Sequence, residues 1–200
     1  MVDDAHKVIC VHIPRTGGHT AAHAFGVYNK VNTTKAIGRH ALPAQYVKVF
    51  PEKWNEYYKF TIIRNPFDRF VSIFSNGRRK QLESININND RQFDEIRKIF
   101  NKVVIEELPK LIKKGPARPQ VTWLRKNKRE FFNFNKIIRQ ENYYNEVIEM
   151  LRELNVEPYI KIEPLYISNR RHYSEYYNSE AKKIMYTLYK EDFDLLEYSW

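Results

Sequence analysis

Apolar positions along the chain fall into two periods. Residues 7–13 (KVICVHI), 58–64 (YKFTIIR) and 134–139 (FNKIIR) are short β-branched and apolar runs. They predict strands buried on both faces. Between them the period lengthens to that of helices. HTAAHAFGVY predicts a helix beginning at His19 or Thr20, directly after a loop with two glycines. Residues 43–57, with Pro43 and Pro51, predict short helices. Asn65 is placed as N-cap and Pro66 as first residue of a helix that carries FDRFVSIFSNGRR and stops near Gly77. Helices are expected over 92–113 and 117–126, separated by Gly115 and Pro116. A further amphipathic helix over 141–154 ends at Asn155. Residues 158–164 read as a short strand or extended loop. Residues 179–190 set Ala181, Ile184, Met185 and Leu188 at helical spacing. Buried strands alternating with helices imply an α/β domain with a largely parallel sheet, whose ligands sit beyond the carboxyl ends of the strands.

Composition narrows the class. Two hundred residues, 42% of them hydrophobic, suit a single domain over 1–200 with a real core, not a disordered chain. Cys10 is the only cysteine, so an intrachain disulfide framework and a cysteine-rich zinc site are both excluded. No run approaches the roughly 18–20 apolar residues of a membrane span. The apolar stretch of MVDDAHKVICVHIP is short and follows two aspartates and a lysine, unlike a secretory leader. A soluble or cytoplasmic protein is expected, with no signal peptide or anchor in this chain. The formal charge is +10, and residues 110–129 hold eight basic side chains and no acid. Such a surface attracts anions: phosphorylated cofactors, nucleic acids or acidic glycans.

The chemistry lies in two motifs at the predicted strand ends. PRTGGHT, residues 14–20, joins a strand to a helix. Gly17 and Gly18 permit close backbone approach, Arg15 adds a fixed cation and Thr20 a hydroxyl, a combination suited to phosphate. The loop lacks the first glycine and the Lys-Ser/Thr pair of a Walker A loop. The second strand ends in Arg64 where a metal-binding Asp would stand, so a metal-dependent phosphotransferase is disfavoured. Arg64 and Ser72, eight residues apart in TIIRNPFDRFVSIF, offer a bidentate fork and a neutral donor to a second oxyanion. Arg69 reads as structural, paired with Asp68 or a backbone carbonyl. Two separate anion sites suggest a ligand with two separate phosphates. A basic nucleic-acid-binding module is the other alternative, but no signature of one is present.

HIPRTGGHT and IIRNPFDRFVSIF resemble the 5′-phosphosulfate and 3′-phosphate motifs of sulfotransferases that use 3′-phosphoadenosine-5′-phosphosulfate. The likeness is greatest to the carbohydrate enzymes of the heparan 2-O/6-O and chondroitin type. RPQVTWL at 118–124, FNKIIRQEN at 134–142 and residues 177–198 resemble later blocks of the same family. The resemblance implies a P-loop-like three-layer α/β/α fold with a mainly parallel central sheet, and a soluble, metal-independent sulfotransferase. It implies that Arg15, Thr16, Gly17, Gly18, His19 and Thr20 hold the 5′-phosphosulfate, and that Arg64 and Ser72 hold the 3′-phosphate. SNRRHY adds Asn169, Arg171 and Tyr173 as cofactor contacts. The product would be adenosine 3′,5′-bisphosphate. The family usually has Lys where Arg15 stands and a small hydroxyl residue where His19 stands. Arg15 would neutralise the departing phosphate, less freely than Lys would.

Sulfuryl transfer to a hydroxyl needs a base titrating near neutrality, which favours His or a perturbed Glu. Of six histidines, His12 reads as a core residue in the first strand. His40, in AIGRHALP, falls where the resembling enzymes place a catalytic histidine, and is expected to be the general base. Glu83 and Glu163 are the fallbacks. Gln120 is expected to bond an acceptor hydroxyl. Trp123 either stacks on a sugar ring or anchors the core. The expected acceptor is a hydroxyl-bearing glycan, which the basic stretch would suit in an anionic form; no nucleic-acid partner is expected.

Overall fold

A computed structural model describes residues 1–25, 37–82, 85–158 and 170–200. The chain folds as two compact units: Met1–Arg64 with Thr122–Leu165, and Asn65–Val121 with Tyr166–Trp200.

The first unit holds a four-stranded sheet in the order β1-β2-β3-β4. Its strands are β1 (Val2–Asp3), β2 (Val8–Val11), β3 (Tyr58–Ile63) and β4 (Lys136–Arg139). β2 pairs parallel with β3, and β3 with β4, in a register that sets Val11 opposite Thr61 and Ile63 opposite Arg139. These are the three strands legible in the sequence, and the sheet is mostly parallel as expected. β1 was not foreseen. It is two residues long and pairs antiparallel with β2. A run that short carries no periodicity to read.

Alternate strand residues Val8, Cys10, Phe60, Ile62 and Ile138 form one apolar cluster with two helices. Helix α1 (Gly18–Ala24) contributes Ala21, Ala22 and Ala24. The other helix is Tyr143–Glu153, which contributes Val147, Met150 and Leu151. The opposite strand positions, Ile9, Val11, Thr61 and Ile63, are buried too, which is why the strands read as continuous apolar runs. Cys10 lies inside this cluster, and burial pushes its thiol up to about 11. It is therefore no nucleophile at neutral pH. The two short helices after the loop are α2 (Pro43–Val49) and α3 (Pro51–Glu56), each opened by its proline as expected.

The second unit is helical. Helix α4 (Pro66–Gly77) begins as the sequence requires, with the Asn65 side chain accepting from the Phe67 N–H at 2.9 Å. Its buried face is Phe67, Phe70, Val71 and Phe74. The short α5 (Arg79–Leu82) follows. Phe93, Ile96 and Phe100 of α6 (Asp90–Lys102) join the same cluster. α6 runs into a π-helical turn, Val103–Glu107, and then α7 (Leu108–Leu111). Pro109 lacks the N–H that a regular ladder would need, and the turn marks the adjustment. In chain order the Tyr143–Glu153 helix is α8. The unit closes with α9 (Ser179–Leu188) and α10 (Lys190–Leu196), where the sequence had predicted one helix over 179–190.

The helix expected over 117–126 is not formed. Gly115–Ala117 and Gln120–Trp123 are single 3₁₀ turns instead. Pro116 and Pro119 remove two donors, and buried side chains replace the ladder. Asp192 accepts the N–H groups of Gln120 and Val121 at 2.8 and 3.0 Å. Arg69 donates to the carbonyls of Pro116 and Arg118 at 2.7 and 3.0 Å. Arg69 is thus structural through backbone carbonyls, as the sequence suggested. The stretch 158–164, save Pro158, lies outside the described residues.

Arg69 is 1% exposed, so Arg69→Ala would remove a buried guanidinium and take the donor from the Pro116 and Arg118 carbonyls. A loss of about 3 kcal/mol is expected from chemical denaturation of the full chain. An unchanged midpoint and slope would show that the 115–121 segment is held some other way.

Candidate active site

The glycine loop begins where β2 ends. His12 is the residue after the strand and is 2% exposed. Thr16, fully buried, donates its hydroxyl to the Ile13 carbonyl at 2.9 Å, closing the turn. That hydroxyl therefore shapes the loop. Arg15 takes φ 66° and Gly17 φ 93°, both left-handed. Gly17 tolerates this without a Cβ penalty; Arg15 does not, and is held there by its surroundings. A methyl on Gly17 would sit 3.5 Å from Tyr143 Cε2, an ordinary contact, so the dihedral is what requires glycine there. Gly18 is required for space. A Cβ there would lie 2.3 Å from His12 Cδ2 and 2.9 Å from Cγ. Thr20 is buried one turn further on, and its N–H bonds the Gly17 carbonyl at 3.0 Å.

Arg64 leaves the end of β3 and donates to the Arg15 carbonyl at 3.2 Å. The parallel pairing of β2 with β3 thus brings the cation of the second motif onto the backbone of the first. Ser72 is buried in α4 of the second unit.

Three imidazoles gather beside the loop. The rings of His12 and His19 meet edge to face at 5.1 Å, and those of His12 and His40 lie tilted at 4.6 Å. His40 is exposed, on a turn closed by Ala41 N–H to Gly38 O at 2.9 Å. His40 Nδ1 lies 3.1 Å from the His12 carbonyl. A carbonyl can only accept, so in this bond Nδ1 carries the proton and the neutral ring keeps its lone pair at Nε2. Arg39 Nη1 lies 3.3 Å from His19 Nε2. Arginine can only donate, so His19 is protonated at Nδ1. Burial and then Arg39 lower the His19 pKa to about 4. Burial, then His40 and His19, hold His12 well below the usual imidazole range. Both rings are therefore neutral at physiological pH.

Several expected contacts are placed elsewhere. Gln120 is fully buried and bonds Asp192. Trp123 is fully buried and donates from Nε1 to the His40 carbonyl at 3.0 Å. Neither presents a face to an acceptor, and of the two readings of Trp123 the core anchor is the one its burial matches. The Arg171 guanidinium is engaged at all three nitrogens, by the Ile87 carbonyl, Asp90 and Glu175. It ties its own segment to α6, which is a structural use. Tyr173 stacks on Phe67 at 6.3 Å. Asn169, Glu83 and Glu163 lie outside the described residues. The sequence reading missed Arg39 and the true partner of Trp123. Adjacency of Arg39 to His40 was the only available signal for the first.

The loop fits an anionic cofactor. A methyl-free cradle at Gly18, the left-handed turn, and Arg15 with Arg64 at one sheet edge form a donor set that suits phosphate. Among the described residues, no group of three or more His, Cys, Asp or Glu side chains is arranged to hold a metal ion. Among the same residues no helix is long and apolar enough to cross a membrane. A family model described as "Sulfotransferase family" matches residues 1–199.

The chain belongs to the sulfotransferase family.

Membership makes it an enzyme that draws sulfuryl groups from 3′-phosphoadenosine-5′-phosphosulfate. No curated protein and no solved structure matches the chain.

Two measurements test the loop. Gly18→Ala forces the buried His12 ring to move, and a loss of about 2 kcal/mol with weakened bisphosphate binding is expected; unchanged melting and binding would contradict the close approach. The neutral histidines also set a pH dependence. Their folded pKa values lie below the unfolded value of about 6.5, so below that pH the unfolded chain binds protons that the folded chain refuses. Stability should fall as pH drops from about 6.5 toward 4, and His19→Asn should flatten the fall. A melting temperature equally steep in the variant would remove His19 from this effect.

Proposed function

We propose that this sulfotransferase acts on a hydroxyl of a carbohydrate or similar acceptor, with His40 as general base and no metal. The observation that carries the base assignment is the bond from His40 Nδ1–H to the His12 carbonyl at 3.1 Å. In the neutral ring it places the lone pair at Nε2, on an exposed side chain beside the glycine loop, the form a general base must have.

When bound, the cofactor supplies the sulfuryl group and an anionic leaving phosphate. The residues of this chain do the rest. Arg15, Thr16, Gly17, Gly18, His19 and Thr20 form the loop that holds the 5′-phosphosulfate end. Arg64 holds the 3′-phosphate with Ser72, the latter assigned by its motif alone. His40 Nε2 takes the acceptor proton. Arg15 and Arg64 are fixed cations where negative charge collects, which is the reason for a metal-independent mechanism. Residues 1–200 act as one sulfotransferase-like domain, the chain passing between its two units at 64–65, 121–122 and 165–166.

An anionic glycan is the acceptor favoured by charge. Lys126, Lys128 and Arg129 are exposed in the loop that a single antiparallel bridge between Arg125 and Phe131 closes. Lys110, Lys113 and Lys114 are exposed in the second unit. Gln120 and Trp123 are left out of acceptor binding because both are buried, and Arg171 out of cofactor binding because its guanidinium is engaged.

Adenosine 3′,5′-bisphosphate should raise the melting temperature without magnesium. With labelled sulfate donor and a panel of glycans, His40→Ala should lower turnover at least ~100-fold and leave bisphosphate affinity within about twofold. Turnover near that of the parent would remove His40 as the base. No stabilisation by the bisphosphate would remove the cofactor assignment to this loop.

A further inference from the structure

We infer that Trp123 is a positioning residue for His40, holding its backbone while His12 holds its ring, so that the Nε2 lone pair keeps one direction. The inference rests on the reading of His40 as the base and extends it to a residue that touches neither cofactor nor acceptor.

His40 sits on an exposed turn, a poor place for a group that must aim to within tenths of an ångström. Its neighbours are tied at every step. Ala41 N–H bonds Gly38 O at 2.9 Å, and Leu42 N–H bonds the Gln45 side chain at 2.8 Å, at the start of α2. Those bonds fix the turn, and the Ala41 N–H already restrains one edge of the peptide plane that follows His40. The Trp123 indole fixes that plane, donating to the His40 carbonyl at 3.0 Å. On the other side of the same residue, the ring donates from Nδ1 to the His12 carbonyl at 3.1 Å. With the carbonyl plane held on one side and the ring on the other, ψ and the side-chain torsions of His40 are restrained together.

Trp123 suits this task. Its side chain is fully buried and rigid, and indole N–H is a donor with no acceptor role, so the bond has one sense. A buried indole needs some acceptor in any case, which is the purely structural alternative. That alternative requires the bond for folding only. The positioning role requires that its loss alter the tautomer and direction of His40 in a protein that remains folded.

The test replaces Trp123 with 3-benzothienylalanine, which keeps the bicyclic shape and removes the N–H, and in parallel with Phe. Histidine is labelled with ¹⁵N, and His40 is assigned by comparison with His40→Ala. In the ligand-free parent above pH 7, the nitrogen shifts should report the Nδ1–H tautomer. In the replaced protein they should report a mixture, with the melting temperature of the benzothienyl form within a few degrees of the parent. The rate constant kcat should fall about tenfold, with KM for acceptor and affinity for adenosine 3′,5′-bisphosphate unchanged. Unchanged His40 shifts and kcat in a folded replaced protein, while His40→Ala abolishes turnover, would overturn the positioning role and leave the base assignment standing. Normal turnover of His40→Ala would overturn the base assignment itself, and this inference with it.

Discussion

The main-chain carbonyl of His12 is the fixed point of the first unit's site. Parallel pairing with β3 sets the end of β2, and His12 follows immediately, buried under the loop it introduces. Its side chain limits what can stand at position 18, since only glycine clears the ring. Its carbonyl receives the Nδ1 proton of His40. One residue thus determines how closely the loop backbone approaches the strand and which nitrogen of the neutral proposed base carries the proton. Sheet register, a property of apolar strand residues such as Ile9, Val11 and Phe60, is in this way transmitted to the protonation pattern of an exposed imidazole.

The electrostatics around that point separate charge from hydrogen bonding. Arg15, Arg39 and Arg64 supply permanent positive charge. His12 and His19 stay neutral because burial and neighbouring cations penalise their protonation. A neutral imidazole bonded at one nitrogen still offers directed hydrogen-bonding capacity at the other, without adding to the repulsion among the arginines. Such a set suits the proposed anionic ligand, with the arginines as fixed cations and the imidazoles adding no charge of their own. That matches a reaction in which charge accumulates on a departing phosphate while a proton leaves at a different place.

Much of this was legible in the chain. Three strands, the glycine loop, the Asn65 cap and the Arg64 motif all follow from local rules: period, capping and turn chemistry. What failed to read out was decided by distant side chains. Residues 117–126 carry a helical pattern, yet Asp192 and Arg69 satisfy the backbone of 116–121 from more than 45 residues away in sequence, and no local window shows them. Gln120 looked like an acceptor contact because an amide serves sugars well, while Trp123 read equally as a ring stack or a core anchor. Burial turned both toward interior partners, and burial is a tertiary fact. Arg171 looked like a cofactor cation until Asp90 and Glu175 engaged it. The role of Arg39 was hidden for the opposite reason: it belongs to no motif, and only the turn at 38–41 brings it to His19.

That turn also bears on one departure from the pattern of the enzymes the sequence resembles. A histidine stands at position 19 where a small hydroxyl residue is usual, and Arg39 of the turn reaches it. His19 packs edge-on against His12 and accepts from Arg39. His12, in turn, accepts from His40. Adjacent residues 39 and 40 of one segment are therefore tied to residues 19 and 12 of the other, one tie on each side of the glycine turn. A single tie would leave a hinge; two, at neighbouring residues, resist rotation as well as separation. A small hydroxyl at position 19 would be too short to reach Arg39, and the second tie would be lost. The longer side chain at position 19 thus ties the glycine loop to the segment that carries the proposed base.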